Sequence, residues 1–205
     1  TPRCGVVHGA VACDPHGVTV GQHPWMRIDR FIRDRGGVVP RAALVEAGFS
    51  SYAIGRARHA GVIFRVRRAW FATPDAPADV VQAVRVGGAL SCASALSRVG
   101  VWLPEDARVH VAVPRTASRL RSPHSPSVRL AEDRAGVVVH WSPAGVRPSP
   151  PEDEVALALA YATTCLAPEF AIAALDSALN LRLISRSELA QVFAGFPARS
   201  RAMLR

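Results

Sequence analysis

Residues 36 to 72 read GGVVPRAALVEAGFSSYAIGRARHAGVIFRVRRAWFA, and their proline and glycines divide them into four elements. A proline suits the first turn of a helix, a glycine suits its end, and a serine is a good N-cap for the helix that follows. Two short apolar runs around an arginine-rich turn are typical of a hairpin. The pattern therefore predicts helices at 40–47 and 50–60 and strands at 62–66 and 70–72.

A further amphipathic helix is predicted just before this stretch. Ile28, Phe31 and Ile32 lie at positions i, i+3 and i+4, so they share one face of a helix over 28–35. Three helices followed by a two-stranded ribbon is the order of a winged helix-turn-helix, in which the second helix braces a third that reads DNA. We therefore predict a winged helix-turn-helix at 26–74.

The predicted third helix has one outward face with polar and aromatic side chains. Tyr52, Arg56 and His59 lie at i, i+4 and i+7 on that face, and Arg56 is expected to contact a base, because a guanidinium can grip guanine with two hydrogen bonds. Two alternatives stay open: Tyr52 and His59 only cover the edge of the core, or the module binds another protein. The predicted DNA-contacting residues are Arg41, Ser51, Tyr52, Arg56, His59, Arg65, Arg67 and Arg68.

The charge distribution favours a polyanionic partner. The chain has a formal net charge of +9, and all 25 basic residues are arginine. Residues 27–70 contain ten arginines against three acidic residues, an excess of seven positive charges. A basic segment joined to a nearly neutral one is expected of a protein that binds a polyanion such as double-stranded DNA. The alternative is a solvated face in a protein of arginine-rich composition.

Residues 78–205 are predicted to form a second region, joined to the first by a proline-containing linker. In some of its segments apolar and polar residues alternate, as in a strand. In others the apolar residues recur every three or four positions, as in a helix. The chain is therefore assigned to the α+β class, with a mixed α/β middle region and a C-terminal helical part. The predicted helices cover 79–86, 91–99, 152–165, 169–180 and 187–193, and the predicted strands cover 108–113, 127–130 and 136–141.

No set of residues predicts catalysis or metal binding. The four cysteines form no CxxC pair and have no histidines clustered beside them in the sequence. Cys92 and Cys165 lie among small apolar residues and are predicted to be buried thiols. His110 is predicted to be an exposed or hydrogen-bonded strand histidine, and the acidic run 152–154 a solvated helix start. We therefore predict no enzyme, no cofactor and no metal.

The N-terminal residues and the hydropathy predict where the chain resides. Residues 1–25 have neither helical nor strand periodicity, so we predict a disordered tail or an extension that precedes a natural start near Met26. There is no run of eighteen apolar residues and no layout of a signal peptide. We therefore expect no membrane partner and a cytoplasmic location.

Several blocks of the sequence resemble AbiEi-type antitoxins of type IV toxin–antitoxin systems. Residues 36–51 and 59–72 are similar to their N-terminal domain. The block GALSCASALSRVGVWLP at 88–104, followed by VHVAVPR at 109–115, is similar to their middle domain. The segment AALDSALN at 173–180 resembles the helical part that, in many actinobacterial relatives, precedes an endonuclease domain like that of very-short-patch-repair enzymes.

The resemblance covers residues 27 to about 200 and implies an antitoxin-like regulator that binds its own operator, with a cognate toxin as a further partner. A nuclease like that of the relatives needs a carboxylate cluster and a lysine around magnesium, and this chain has no lysine. The first alternative is therefore the DNA-targeting portion of a defence or repair endonuclease whose catalytic domain is missing from this chain. The second is an interaction module that neutralises a toxin.

Overall fold

A computed structural model describes residues 27–133 and 136–203 of the chain. These residues form a mixed α+β structure, which confirms the predicted fold class. The tail predicted for 1–25 and the start predicted near Met26 lie outside the described residues. Among the helices of the described part, none combines the length and the apolar character that crossing a bilayer requires.

The N-terminal part consists of three short helices and a three-stranded sheet. Its strands are antiparallel in the order β1-β3-β2, so that β3 lies in the centre. The strand β1 was not predicted, because it is only three residues long and ends on a proline, which cannot donate to a ladder. The elements in chain order are α1 (Ile28–Arg33), β1 (Val38–Pro40), α2 (Arg41–Glu46), α3 (Ser51–His59), β2 (Phe64–Arg67) and β3 (Trp70–Ala72).

The three helices of this part pack around a small apolar core. Ile28 and Ile32 of α1, Leu44 of α2, Ile54 of α3 and Ile63 before β2 are all buried. Burial of such a side chain contributes about 1.5–3 kcal/mol relative to exposure. The core therefore holds α3 against α1 and α2, and the polar face of α3 is left outward.

The second part is built on a sheet in the order β4-β5-β6, in which β5 is antiparallel to β4 and parallel to β6. Its large core also receives Val38, Val66 and Ala72 from the first sheet, so the two parts share a packed contact. The elements are α4 (Ala78–Val86), β4 (Ala89–Leu90), α5 (Cys92–Arg98), β5 (Val109–Val113), β6 (Val137–Trp141), α6 (Val155–Cys165), α7 (Pro168–Asn180), α8 (Arg186–Phe193) and α9 (Ala198–Ala202).

Two predictions for this part are wrong. The strand predicted at 127–130 is replaced by an isolated bridge between Arg121 and Arg129 and a short 3-10 helix at Leu130–Glu132. The helix predicted from 152 begins at Val155. Polar and apolar residues alternate at 127–130, but alternation alone does not reveal that this segment pairs through a single bridge.

The prediction of a solvated helix start at 152–154 is confirmed for Glu154, the exposed N-cap of α6, and is wrong for Glu152 and Asp153. Asp153 is only 5% exposed, and its Oδ1 accepts the N–H of Ser149 at 2.6 Å. Its Oδ2 is buried and has no hydrogen-bond partner among the described residues. Glu152 pairs with Arg98 at 3.1 Å. Burial raises the pKa of Asp153 to about 6.

The raised pKa of Asp153 predicts that stability falls as the pH rises. The folded state holds the proton more tightly than the unfolded chain, in which an aspartate titrates near pH 4, so stability is lost between about pH 4 and about pH 6. We expect the neutral variant Asp153→Asn to raise the free energy of unfolding at pH 7 by about 1–2 kcal/mol, with little effect at pH 4.

Urea unfolding at several pH values measures this effect. The control is Glu46→Gln, which removes an exposed carboxylate of the N-terminal part and should leave the pH dependence as in the wild type. Equal unfolding free energies of Asp153→Asn and wild type at pH 7 would contradict the prediction.

Candidate nucleic-acid interface

The helix α3 is fixed by its N-cap and by its apolar side. The Ser50 Oγ accepts the N–H of Ala53 at 3.2 Å, which confirms the predicted N-cap. Ala53, Ile54 and Ala57 are buried against the small core. Because these inward positions are all apolar, the rotation of α3 about its axis is set by packing.

The outward face of α3 carries the predicted contact residues. Ser51, Tyr52, Arg56 and His59 are exposed, and Tyr52 is 76% exposed. This exposure favours a contact surface over the alternative in which Tyr52 and His59 only cover the edge of the core. A side chain at Gly55, on the same helix, would meet no atom within 4 Å, so a partner can approach the backbone of α3 closely.

A side-chain contact ties the start of α2 to the start of α3. The Arg41 guanidinium donates to the Ser51 Oγ at 2.7 Å, and both residues are exposed. The two predicted contact residues are therefore brought together on one surface, where the N-terminal ends of both helices meet.

The positive charges of α1 are neutralised within the fold, whereas those of α3 and the β2–β3 hairpin are not. Arg33 pairs with Asp29 at 2.6 Å and with Asp75 at 2.8 Å. The helix α3 and the hairpin together carry five arginines and no acidic residue. Among the described residues, no acidic side chain forms a salt bridge with Arg41, Arg56, Arg58, Arg65 or Arg68.

A cleft of about 580 Å³ lies beside the β2–β3 hairpin and is here named the basic cleft. Five arginines line it and no carboxylate does, so the cleft suits a phosphate group. Two of its walls come from distant parts of the chain, the hairpin and the irregular segment after β5. The arginines that line the basic cleft are Arg65, Arg67, Arg68, Arg119 and Arg121.

Arg67 was predicted to contact DNA, but its guanidinium is engaged within the protein. Its guanidinium donates to the carbonyl oxygens of Val86 at 2.9 Å and of Arg119 at 2.8 Å. Burial, with a smaller contribution from the charge of Arg121, lowers the pKa of Arg67. Gly87 leaves room for the guanidinium, since a Cβ there would overlap with it. Arg67 therefore anchors the hairpin to the second part, and Arg65 and Arg68 remain exposed.

A second cleft, of about 460 Å³, extends the positive surface away from the hairpin. It is lined by Arg119, Arg121 and Arg129 and by Trp141, whose side chain is 52% exposed. An exposed indole beside guanidinium groups can pack against sugar or base. These residues are far apart in the chain, so no local sequence pattern joins them.

The structure also brings together two cysteines and two histidines that the sequence separates. Cys92 begins α5, His110 lies on β5, His140 lies on β6, and Cys165 ends α6. One Nδ1, Nε2 or Sγ atom from each of them lies within 4.8 Å of the others. Cys92 and His110 are fully buried, and His140 is 9% exposed. His110 is thus hydrogen-bonded, as one of the two predicted alternatives states, and not exposed.

The four side chains influence one another electrostatically. The neighbouring Cys92 thiol, His110 and His140 hold the pKa of Cys165 well below its usual value, whereas hydrogen bonding to Cys165 and burial raise the pKa of Cys92. Burial acts to lower the pKa of His110, but hydrogen bonds to Cys165 and Asp106 outweigh it and raise the pKa.

The chain was compared with protein-family models, curated proteins and solved structures. No protein-family model and no curated protein matches it. Among solved structures, the crystal structure of the Rv2827c protein from Mycobacterium tuberculosis is similar over 95% of this chain and 80% of that one. The identity is 20% and the TM-score is 0.33.

Proposed function

We propose that the chain binds double-stranded DNA through an N-terminal winged helix-turn-helix, with α3 in the major groove and the β2–β3 hairpin beside the backbone. The observation that carries this proposal is the unneutralised positive surface that α3 and the hairpin present together. No part of it requires a catalytic residue.

The order of the elements supports the proposal. A helix, a strand, two helices and a hairpin follow one another, and the short strand β1 joins the hairpin in a three-stranded sheet. Winged modules use such a sheet to hold the wing next to the recognition helix. The second helix, α2, lies against α3 through the Arg41–Ser51 contact, as a bracing helix does.

The chemistry of the exposed side chains supports it as well. Arg56 is exposed, forms no salt bridge among the described residues and lies on a helix without acidic residues, so its guanidinium is free to bind guanine. Arg65 and Arg68 offer point contacts to phosphate along the basic cleft. A base-reading group and phosphate-binding groups are thus placed on consecutive elements of one module.

We further propose that the bound DNA is an operator of the protein's own operon, since the sequence resembles antitoxins that repress their own promoters. An antitoxin-like autoregulator requires binding to one sequence to exceed binding to any other. The proposal is therefore tested by specificity and not by affinity alone.

The test is a binding titration with the DNA upstream of the gene and with a scrambled duplex, over a salt series with magnesium present. We expect the upstream complex to persist at salt concentrations that release the scrambled duplex. Arg56→Ala is expected to weaken upstream binding by about 1–3 kcal/mol, roughly 5- to 150-fold, and to leave scrambled binding nearly unchanged.

The matched control is Arg186→Ala, which removes an exposed arginine at the start of α8. This control should bind both duplexes as the wild type does. Equal affinity of Arg56→Ala and wild type for every duplex would rule out this surface. Cleavage of the duplex in magnesium would instead support the endonuclease alternative.

A further inference from the structure

We propose that Cys92, His110, His140 and Cys165 form a structural zinc site that fastens four elements of the second part to one another. The four ligand atoms lie within 4.8 Å of one another, and each comes from a different element, α5, β5, β6 or α6. This site is independent of the proposed DNA-binding surface, and neither depends on the other being correct.

The spacing of the ligand atoms fits tetrahedral coordination. Zn–N bonds of about 2.0–2.1 Å and Zn–S bonds of about 2.3 Å place the ligand atoms of a tetrahedron about 3.3–3.8 Å apart. The His110 Nδ1 is 3.1 Å from the His140 Nε2 and 3.8 Å from the Cys165 Sγ. These two distances lie close to the tetrahedral values, and all four ligand atoms are within 4.8 Å of one another.

The sheet sets the positions of the two histidines. In the parallel pair β5–β6, His110 is opposite Val138 and His140 is opposite Ala112, so the two histidines are diagonal neighbours on the same side of the sheet. Their rings are stacked with centroids 5.3 Å apart. One nitrogen of each ring lies within 4.8 Å of both sulfur atoms.

The groups around the ligands match those around known zinc sites. A ligating histidine usually gives its second ring N–H to a carboxylate, which fixes its tautomer and orientation. The His110 Nε2 lies 3.0 Å from the Asp106 Oδ2, and Arg108 in turn binds that carboxylate at 2.7 Å. With Nε2 protonated, the His110 Nδ1 keeps its lone pair for a metal.

The end of α6 also favours a cation beside Cys165. Cys165 ends α6, where the partial negative charge of the helix terminus opposes a thiolate unless a cation balances it. A bound zinc ion supplies that cation.

Two alternative roles for these four side chains can be distinguished from a zinc site. A disulfide between Cys92 and Cys165 would use both sulfurs and leave the histidines unengaged. A catalytic Cys165–His110 pair would need no second cysteine. A set of four protein ligands with three of them buried is the pattern of a closed structural site.

The experiment uses the full chain carrying Cys4→Ser and Cys13→Ser, so that the only cysteines left are Cys92 and Cys165. The protein is purified under reducing conditions, freed of metal and titrated with Co²⁺ and then with Zn²⁺. We expect one equivalent of Co²⁺ to give the intense visible bands of tetrahedral cobalt and a near-ultraviolet thiolate charge-transfer band, which Zn²⁺ then abolishes. Zinc should also raise the midpoint of thermal unfolding.

Variants assign the ligands. Cys165→Ser and Cys92→Ser should each reduce the charge-transfer band, and Cys165→His, which replaces one ligand by another, should keep tetrahedral bands with less thiolate absorption. Asp106→Asn removes only the carboxylate behind His110 and should lower Zn²⁺ affinity about 10- to 100-fold. The exposed His124 provides the control, and His124→Gln should bind metal as the parent does.

Three results would overturn the proposal. The first is that the chain, shown to be folded by circular dichroism, binds Co²⁺ with an octahedral spectrum or does not bind one equivalent of it. The second is binding that is unchanged in the double variant Cys92→Ser, Cys165→Ser. The third is a Cys92–Cys165 disulfide, found by mass spectrometry, that still forms when the protein is isolated without a reducing agent but with Zn²⁺ present.

Discussion

The triple variant Arg65→Gln, Arg68→Gln, Arg119→Gln is expected to bind any DNA duplex on the order of 100-fold more weakly than the wild type at physiological salt. All three side chains are exposed and line the basic cleft, and the lining contains no carboxylate that would neutralise them. Each arginine that contacts a phosphate releases about one counterion, so the slope of log affinity against log salt should fall by about 2–3. Titrations between low and physiological salt measure both quantities.

The matched control removes the same number of positive charges elsewhere. Arg147, Arg182 and Arg186 are exposed, and none of them lines either of the two arginine-rich clefts. If the fall in affinity came from net charge alone, the control would weaken binding as much as the cleft variant. We expect it to keep most of the wild-type affinity and slope. Equal losses in the two variants would mean that the cleft has no special role.

The N-terminal elements could be predicted well because their determinants are local. The N-cap Ser50 hydrogen-bonds within α3, and the glycines that end the helices act within a few residues. The exposure of Tyr52 and Arg56 follows from the helical period once the apolar face is known. In the same way, Ser185 and Glu188 form a capping box at the start of α8.

The position of Arg67 could not be predicted because its determinants are distant in the sequence. Strand alternation places Arg65 and Arg67 on one face, but the pairing of β2 with β3 shifts register between them. The guanidinium of Arg67 then reaches the carbonyl of Val86, at a place where Gly87 has no side chain. A glycine twenty residues away thus decides whether this arginine faces solvent.

The cysteine–histidine cluster was missed for a related reason. Metal motifs are recognised in a sequence when two ligands lie on one turn or knuckle, a few residues apart. Here every ligand comes from a different element, and the pairing of β5 with β6 brings the histidines together. The sequence holds only a weak indication of the cluster. Each of the four residues lies at or near the end of an apolar segment, where a buried polar group needs a partner.

Gly88→Ala is expected to lower the free energy of unfolding by about 3 kcal/mol or more. Gly88 leads from α4 into β4, and a Cβ there would overlap with the carbonyl oxygen of Ala112 and lie 2.8 Å from the Val111 side chain. The oxygen cannot yield easily, because Ala112 is paired with Ala89 of β4 on one side and with His140 of β6 on the other. Urea or thermal unfolding measures the loss.

Gly55→Ala is the control that separates the overlap from the general effect of replacing a glycine. A Cβ at Gly55 meets nothing within 4 Å, so alanine should stabilise the protein by about 0.5–1 kcal/mol through its better helix propensity. Gly88 precedes β4, the strand that places Cys92 against β5, so Gly88→Ala should also weaken zinc binding. Gly55→Ala should leave zinc binding intact and should weaken only DNA binding at α3. A Gly88→Ala protein as stable as the wild type would show that β4 and β5 are not packed as closely as this arrangement requires.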